Sequence, residues 1–167
     1  MGNYRPICDT WLLARGAGTS GKKAYYGAYP AGFLRRAIDF LGGKKILHMC
    51  SGTVQGGVTV DVNHALRPSV VADVRWLPFK GSVFDAVLID PPYTAADAEK
   101  YGTDCPSMSS LLAEACRVVK PSGKVGMLHL LVPRIPAGYE KRYIAIIGVV
   151  TGGNQRIRAF TVVKKDA

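Results

Sequence analysis

The stretch from Val83 to Tyr93, VFDAVLIDPPY, joins a short apolar run to a polar turn that contains two consecutive prolines. An apolar run of this length, bounded by turn residues, predicts a strand buried inside a sheet. Proline has no backbone N–H and restricts the residue before it, so the strand is expected to end at Asp90 in a stiff turn. Asp90, Pro91, Pro92 and Tyr93 are therefore predicted to stand together at the end of a central strand.

Further apolar runs before and after this one predict the rest of the sheet. The predicted strands are 45–50 (KILHMC), 58–62 (VTVDV), 70–74 (VVADV), 124–132 (KVGMLHLLV), and a closing antiparallel hairpin of 143–150 and 156–163. Apolar residues at helical spacing predict one helix over 30–41 and a second around 111–119. Residues 1–28 show no clean period and are predicted to be an irregular lead-in to a single domain over 29–167.

The order of these elements predicts an α/β fold with a mostly parallel sheet and a reversed strand at the end. Only residues 51–57 join the first two strands, and only 63–69 join the next two. A parallel crossover normally takes roughly a dozen residues or more, usually with a helix. We therefore expect a minimal fold with shortened helices on one face of the sheet. Apolar surface left bare in this way is often buried between subunits, so self-association is also expected.

Composition limits the class of protein. Of 167 residues, 48% are hydrophobic and 20% are charged, which is typical of a globular chain and not of a disordered or fibrous one. Cys8, Cys50, Cys105 and Cys116 form no C-x-x-C pair, which argues against a structural metal or a disulfide framework. We find no signal peptide and no apolar stretch of the roughly 20 residues that a membrane helix needs, so a soluble cytoplasmic protein is expected.

The charge balance favours a polyanionic partner. Lysine and arginine number 22 against 12 acidic residues, which gives a formal net charge of +10. A surplus of this size attracts nucleic acid and supplies the salt-dependent part of its affinity. A merely solubilising surface is the alternative interpretation.

The chemistry of the turn suits the methylation of an aromatic amine. An exocyclic amine on an aromatic ring is a poor nucleophile, because its lone pair is delocalised into the ring. A site that accepts both amine hydrogens, on the Asp90 side chain and on the Pro91 carbonyl, would hold the nitrogen in place for attack. The Tyr93 ring offers a face on which a flat base can stack.

These residues resemble the D-P-P-Y motif of class I S-adenosylmethionine-dependent amino-methyltransferases, typified by the adenine-N6 DNA methyltransferases. The resemblance covers most of the chain, roughly from Tyr25 to Lys164. It implies a Rossmann-like sheet, S-adenosylmethionine as the cofactor, and direct transfer of the methyl group to an amine held by the motif. Asp90, Pro91, Pro92 and Tyr93 are the catalytic residues that it implies.

The resemblance also implies where the cofactor binds. ILHMCSGT (residues 46–53) is similar to the first cofactor motif, with Gly52 in place, His48 where an acid is common, and Val54 in place of a second glycine. Asp61 matches the acid that holds the ribose hydroxyls, and Asp73 matches the position that contacts the adenine amine. The full set implied for the cofactor is His48, Cys50, Ser51, Gly52, Asp61, Asp73, Val74 and Tyr29, and no metal is expected.

Several substrates remain open from the sequence alone. By the same resemblance, an aspartate at position 90 favours adenine N6 over cytosine N4, whose enzymes more often have serine there, and DNA is the favoured acceptor. RNA methylation at adenine N6 or guanine N2 is the main rival, and glutamine methylation of a protein is a weaker third. A non-catalytic nucleic-acid-binding module of the same fold is the alternative from a different class.

Overall fold

The computed structural model describes residues 7–13, 28–149 and 157–165, which form an eight-stranded mixed sheet flanked by helices. The strands are β1 (Ile7–Leu13), β2 (Ile46–Met49), β3 (Val58–Asp61), β4 (Val70–Val71), β5 (Phe84–Ile89), β6 (Val119–His129), β7 (Tyr139–Val149) and β8 (Arg158–Lys165). The α-helices are α1 (Phe33–Leu41), α2 (Ala95–Tyr101) and α3 (Met108–Val118), and a short 3-10 helix spans His64–Leu66.

The spatial order of the strands is β1-β7-β8-β6-β5-β2-β3-β4. Every pair of neighbours runs parallel except the two pairs that β8 makes with β6 and β7. The sheet is therefore mostly parallel with one reversed strand at the end of the chain, which confirms the predicted fold class. The carboxyl ends of β2 to β6 consequently lie along one edge of the sheet, which we call the carboxyl edge.

Successive side chains of the strands pack alternately in two separate hydrophobic cores, one on each side of the sheet. Leu47 and Met49 of β2 pack in the cluster that contains the apolar face of α3. Ile46 packs on the opposite side, in the cluster that contains Phe33 and the rest of the apolar face of α1. We call these two sides of the sheet the α3 face and the α1 face.

The connections between the parallel strands are as short as the sequence predicts. Residues 51–57, between β2 and β3, contain no helix, and the link from β3 to β4 holds only the 3-10 turn. On the α3 face of the outer strands, Leu12 is 68% exposed and Ile146 is 49% exposed. The fold is thus a minimal one, and part of one face carries exposed apolar side chains.

The predicted irregular lead-in is wrong over Ile7–Leu13, because these residues form β1 in parallel register with β7. The sequence ICDTWLL has no alternating pattern, and only Trp11 is buried. The strand is held by contacts to distant residues: the Asp9 carboxylate accepts hydrogen bonds from Trp11 Nε1 (3.0 Å) and the Tyr143 hydroxyl (2.9 Å). Residues 1–6 and 14–27 of the predicted lead-in and the predicted hairpin turn at 152–154 lie outside the described residues.

Two other boundaries differ from the prediction. The helix α2 was not predicted, and β6 begins at Val119 although Pro121 to Gly123 were expected to separate the helix from the strand. The register of β6 against β5 shifts between Phe84 and Ala86, which pair with Val119 and Lys124. The turn-like residues are therefore accommodated in an irregularity of the strand.

Two features are absent from the described residues: a membrane-spanning helix and a cluster of metal-binding side chains. In residues 7–13, 28–149 and 157–165, no helix is long and apolar enough to cross a bilayer. The same ranges contain no cluster of three or more histidine, cysteine or acidic residues that could hold a metal ion.

Replacing Trp11 with alanine is expected to lower the free energy of unfolding by about 3 kcal/mol, because a large buried aromatic side chain would leave a cavity. Trp11 is 1% exposed and packs against Phe160 with ring centroids 5.5 Å apart. Urea denaturation followed by circular dichroism measures the effect. The matched control is Trp76→Ala, because Trp76 is 71% exposed and its loss is expected to cost about 0.5 kcal/mol or less. Equal stability of the two variants would contradict the packing of β1 described above.

Candidate active site

The D-P-P-Y turn lies beside the loop that follows β2. In the register of β2 against β5, Met49 pairs with Ile89, so the two strands end side by side. The backbone N–H of Asp90 donates to the carbonyl oxygen of Met49 at 3.4 Å. The motif and the predicted cofactor loop therefore leave the sheet at adjacent points of the carboxyl edge.

The turn is held by its own hydrogen bonds. The Tyr93 hydroxyl donates to Asp90 Oδ1 at 2.6 Å, which leaves Oδ2 of the carboxylate for another partner. Thr94 caps α2: its Oγ1 accepts from the backbone N–H of Asp97 at 3.1 Å and donates to Asp97 Oδ2 at 2.9 Å. This reciprocal cap begins immediately after Tyr93 and anchors the motif to the first turn of the helix.

His129, at the end of β6, forms one wall of the turn. Its ring meets the Tyr93 ring edge to face, with centroids 5.4 Å apart. Its Nδ1 accepts the backbone N–H of Leu131 at 3.1 Å. Burial lowers the pKa of His129, so the uncharged ring is favoured. No role was predicted for His129, and the structure assigns it packing against the motif.

Arg158 is a residue of the site that sequence reasoning missed. It begins β8, and the next residue, Ala159, pairs with His129, which places Arg158 at the carboxyl edge. Its positive charge lowers the pKa of both Asp90 and Tyr93. An arginine at the start of a late strand carries no local signal, and only the topology brings it beside the motif.

The Asp90 carboxyl titrates far from its ordinary range. Desolvation raises the pKa of Asp90 to about 7, although the Tyr93 hydrogen bond and the Arg158 charge act in the opposite direction. Perturbed acids of this kind are concentrated at functional sites, although ion pairs in structural roles also produce them.

Tyr29 borders the same place from the α1 face. Its ring stacks on Phe33 with centroids 5.1 Å apart, and the pKa of its hydroxyl is raised. Burial is the main cause, followed by the nearby negative charge of Asp90 and then by Tyr93. The structure thus brings the predicted residue Tyr29 close to the motif.

The loop after β2 has the strained backbone that a glycine motif suggests. Cys50 and Gly52 both have φ at 53°, in the left-handed region. The N–H of Ser51 donates to the Val60 carbonyl at 3.1 Å, and the N–H of Gly52 donates to Asp61 Oδ2 at 2.9 Å. The loop is therefore tied to the end of β3 by both backbone and side-chain bonds.

Three predicted acids converge on this loop. The pKa of the Cys50 thiol is raised, first by burial and then by negative charge nearby. The carboxylates that supply this charge are Asp61, Asp90 and Asp73. Three carboxylates therefore lie near the Cys50 thiol, of which Asp73 is paired with Arg75 and Asp90 lies close to Arg158.

Asp73 and Val74, which were predicted to contact the cofactor, already have partners within the protein. The Asp73 carboxylate is clamped by Arg75, with Nη2 to Oδ2 at 2.6 Å and Nε to Oδ1 at 3.0 Å. This bond lowers the pKa of Asp73. The Val74 side chain is buried in the core on the α3 face. Beside them the Trp76 ring is exposed and lies 4.8 Å from the Arg75 guanidinium.

His48 lies inside β2, within the strand predicted over 45–50. It pairs with Thr59 and Leu88, and its side chain is buried. A side chain at Gly57 would come within 3.0 Å of the His48 ring, so the glycine allows the ring to pack there. Its Nδ1 has no hydrogen-bond partner among the described residues.

Comparison with known proteins identifies the fold. No family model and no curated protein matches the sequence. Among solved structures, a SAM-dependent methyltransferase from Methanosarcina mazei is 14% identical with a TM-score of 0.57, over 78% of this chain and 97% of its own length. A putative methyltransferase from Bacillus halodurans is 13% identical with a TM-score of 0.55, over 82% of this chain and 100% of its own.

TrmN from Thermus thermophilus is also similar, at 18% identity and a TM-score of 0.54 over 79% of this chain. The chain spans about half the length of TrmN, since the match covers 47% of that protein. At these identities the likeness concerns the fold. The chain therefore has the Rossmann-like fold of S-adenosylmethionine-dependent methyltransferases.

Proposed function

We propose that this protein is an S-adenosylmethionine-dependent N-methyltransferase that acts on an exocyclic amino group of a nucleic-acid base, with adenine N6 in DNA as the favoured target. One observation carries the proposal: the Asp90–Tyr93 turn leaves the carboxyl edge next to the strained loop after β2. In open α/β sheets the ligand site lies at this edge.

The residues of the loop fit the predicted cofactor. S-adenosylmethionine carries a positive sulfonium, and the Asp61 and Asp90 carboxylates near Cys50 can supply negative charge beside it. Ser51 Oγ is buried without a hydrogen-bond partner among the described residues, so it is free to bond a ligand. Asp61 accepts one backbone N–H on each oxygen, and each oxygen keeps a further lone pair for a ribose hydroxyl. When bound, the cofactor supplies an electrophilic methyl group.

Asp90 is proposed to hold the acceptor nitrogen. Its Oδ1 is occupied by the Tyr93 hydroxyl, so Oδ2 is the atom that accepts an amine hydrogen. The Pro91 carbonyl is proposed to accept the second hydrogen, and Tyr93 to stack on the base. Once the methyl group has moved, the nitrogen proton becomes acidic, and a carboxylate whose pKa is about 7 can take it at neutral pH.

The charge of the chain supports nucleic acid as the acceptor. A net charge of +10 attracts a phosphate backbone. A base in a duplex would have to flip out of the stack to reach Asp90. RNA is the rival acceptor, and labelling of RNA in place of DNA would select it.

A labelling assay tests the proposal. The protein is incubated with cofactor tritiated on the methyl group and with separate pools of DNA, RNA and protein. We expect the label in DNA, with N6-methyladenine as the labelled nucleoside. Label confined to protein would contradict the proposal. Isothermal titration calorimetry with S-adenosylmethionine distinguishes the enzyme from a non-catalytic nucleic-acid-binding module, because such a module should bind no cofactor.

The rate is expected to rise with pH through about 7, because only ionised Asp90 accepts the amine hydrogen and the proton. Since burial raises the pKa of Asp90, the active form is lost as the pH falls through this value. The measurement is kcat/KM against pH at low cofactor and nucleic-acid concentrations, where the free enzyme determines the profile. In the Asp90→Asn control the inflection should disappear. A wild-type profile that is flat around neutrality would contradict the assignment.

Self-association is a separate part of the proposal. The exposed side chains of Leu12 and Ile146 on the outer strands are the apolar surface that supports it. Light scattering at micromolar concentration tests it, and a monomer would reject this part alone.

A further inference from the structure

We propose that Arg158 is a specificity-determining residue whose Nε–H donates a hydrogen bond to an acceptor atom next to the methylated amine of the base. This inference rests on the proposed function. It adds a second contact to the base, at the atom next to the amine that Asp90 holds. The site would then select a base whose amine is flanked by an unprotonated ring nitrogen, as adenine N6 is flanked by N1 and N7.

The first observation is an unsatisfied donor. Arg158 Nε is buried and has no hydrogen-bond partner among the described residues. A buried N–H without a partner costs free energy, and such groups are rare in folded proteins. A ligand that supplies an acceptor at this point would remove that cost on binding.

The second observation is the place of this donor in the fold. Arg158 begins β8 at the carboxyl edge, and its neighbour Phe160 packs in the core of the α1 face. Side chains two apart on a strand share a face, so Arg158 lies on the same side of the sheet as Tyr29. Its charge acts on both Asp90 and Tyr93, which places the guanidinium close to the motif.

Together these groups form a complementary pair. Asp90 Oδ2 accepts a hydrogen from the amine, and Arg158 Nε–H donates to the atom beside it. A base that presents an amine hydrogen beside an acceptor atom satisfies both groups, whereas a base without that acceptor leaves the Arg158 Nε–H unpaired. Sites with buried polar groups reject substrates that leave those groups unpaired more strongly than apolar pockets reject a missing methylene.

The test combines base analogues with variants of Arg158. Oligodeoxynucleotides that carry adenine, 1-deazaadenine or 7-deazaadenine at the methylated position are compared by kcat/KM. For the wild type we expect a loss of about tenfold to a hundredfold on one of the two analogues, as for a lost bond to a charged donor. Arg158→Lys keeps the charge but has no Nε donor. Its kcat/KM on adenine should therefore fall by a similar factor, whereas its kcat/KM on the analogue that the wild type disfavours should equal that of the wild type.

Controls separate specificity from folding. Arg158→Met also removes the charge that lowers the pKa of Asp90, so it should lose at least as much on adenine as Arg158→Lys, with the same loss of discrimination between adenine and the analogue. Cofactor affinity by calorimetry should stay at the wild-type value in Arg158→Lys. Arg36→Lys is the matched control outside the site, because Arg36 lies on α1 and pairs with Asp9 at 3.4 Å. Should the Arg158 variants fail to fold, the wild-type comparison of the three oligonucleotides still decides.

Two results would overturn the inference. One is a wild-type enzyme that methylates all three oligonucleotides equally well, and the other is an Arg158→Lys variant that keeps the wild-type ratio between adenine and the analogues. Both leave the proposed function standing. If the wild type methylates no adenine at all, the proposed substrate and this inference fail together.

Discussion

Replacing Asp90 with alanine is expected to lower kcat for methyl transfer by about 100- to 1000-fold, with cofactor affinity preserved. The reason is that the carboxylate holds the amine through Oδ2 while Tyr93 fixes Oδ1 at 2.6 Å. Without it the nitrogen loses both its orientation and the acceptor for its proton. Single-turnover kinetics with labelled cofactor measure the loss, and calorimetry measures the affinity.

The control for this variant is Asp39→Ala, because Asp39 lies exposed on α1, on a helix away from the motif. Its kcat should equal that of the wild type. Asp90→Ala that binds the cofactor normally and retains wild-type kcat would reject the mechanism.

Replacing Asp61 with alanine is expected to weaken the binding of S-adenosylmethionine by about 100-fold or more. Two hydrogen bonds from ribose hydroxyls to a carboxylate are worth about 1.5 to 3 kcal/mol each. The substitution also releases the N–H groups of Gly52 and Asn63, each of which donates to Asp61 at 2.9 Å. Calorimetric titration of the cofactor gives the dissociation constant.

A second variant separates ribose binding from loop structure. Asp61→Asn keeps one acceptor oxygen, so we expect an affinity between those of the wild type and Asp61→Ala. Thermal unfolding without cofactor shows how far the loop itself is disturbed. An unchanged dissociation constant in folded Asp61→Ala would place the ribose elsewhere.

The parts that sequence predicts well have local causes. The apolar run before Asp90 and the prolines after it specify a buried strand and its end without reference to the rest of the chain. Gly52, like Cys50 two residues before it, has the positive φ that a glycine loop suggests. The shortness of the crossovers follows from counting residues, and the structure confirms it.

The parts that sequence misses depend on distant partners. Strand β1 has no periodic pattern and is held by Trp11 in a core built from α1, β7 and β8. Arg158 reaches the motif only because β8 runs antiparallel beside β6. Arg75 is close to Asp73 in the sequence, but the ion pair between them is visible only in the structure. That ion pair occupies the carboxylate that was predicted to contact the cofactor.

In the proposed reaction a methyl group passes from the cofactor to a base amine held by the Asp90 turn. The most direct test supplies cofactor with a deuterated methyl group and DNA, and identifies the labelled nucleoside by mass spectrometry. We expect a deuterated methyl group on adenine N6, present with the wild type and almost absent with Asp90→Ala. Label on a ring carbon, or equal labelling by both proteins, would contradict it.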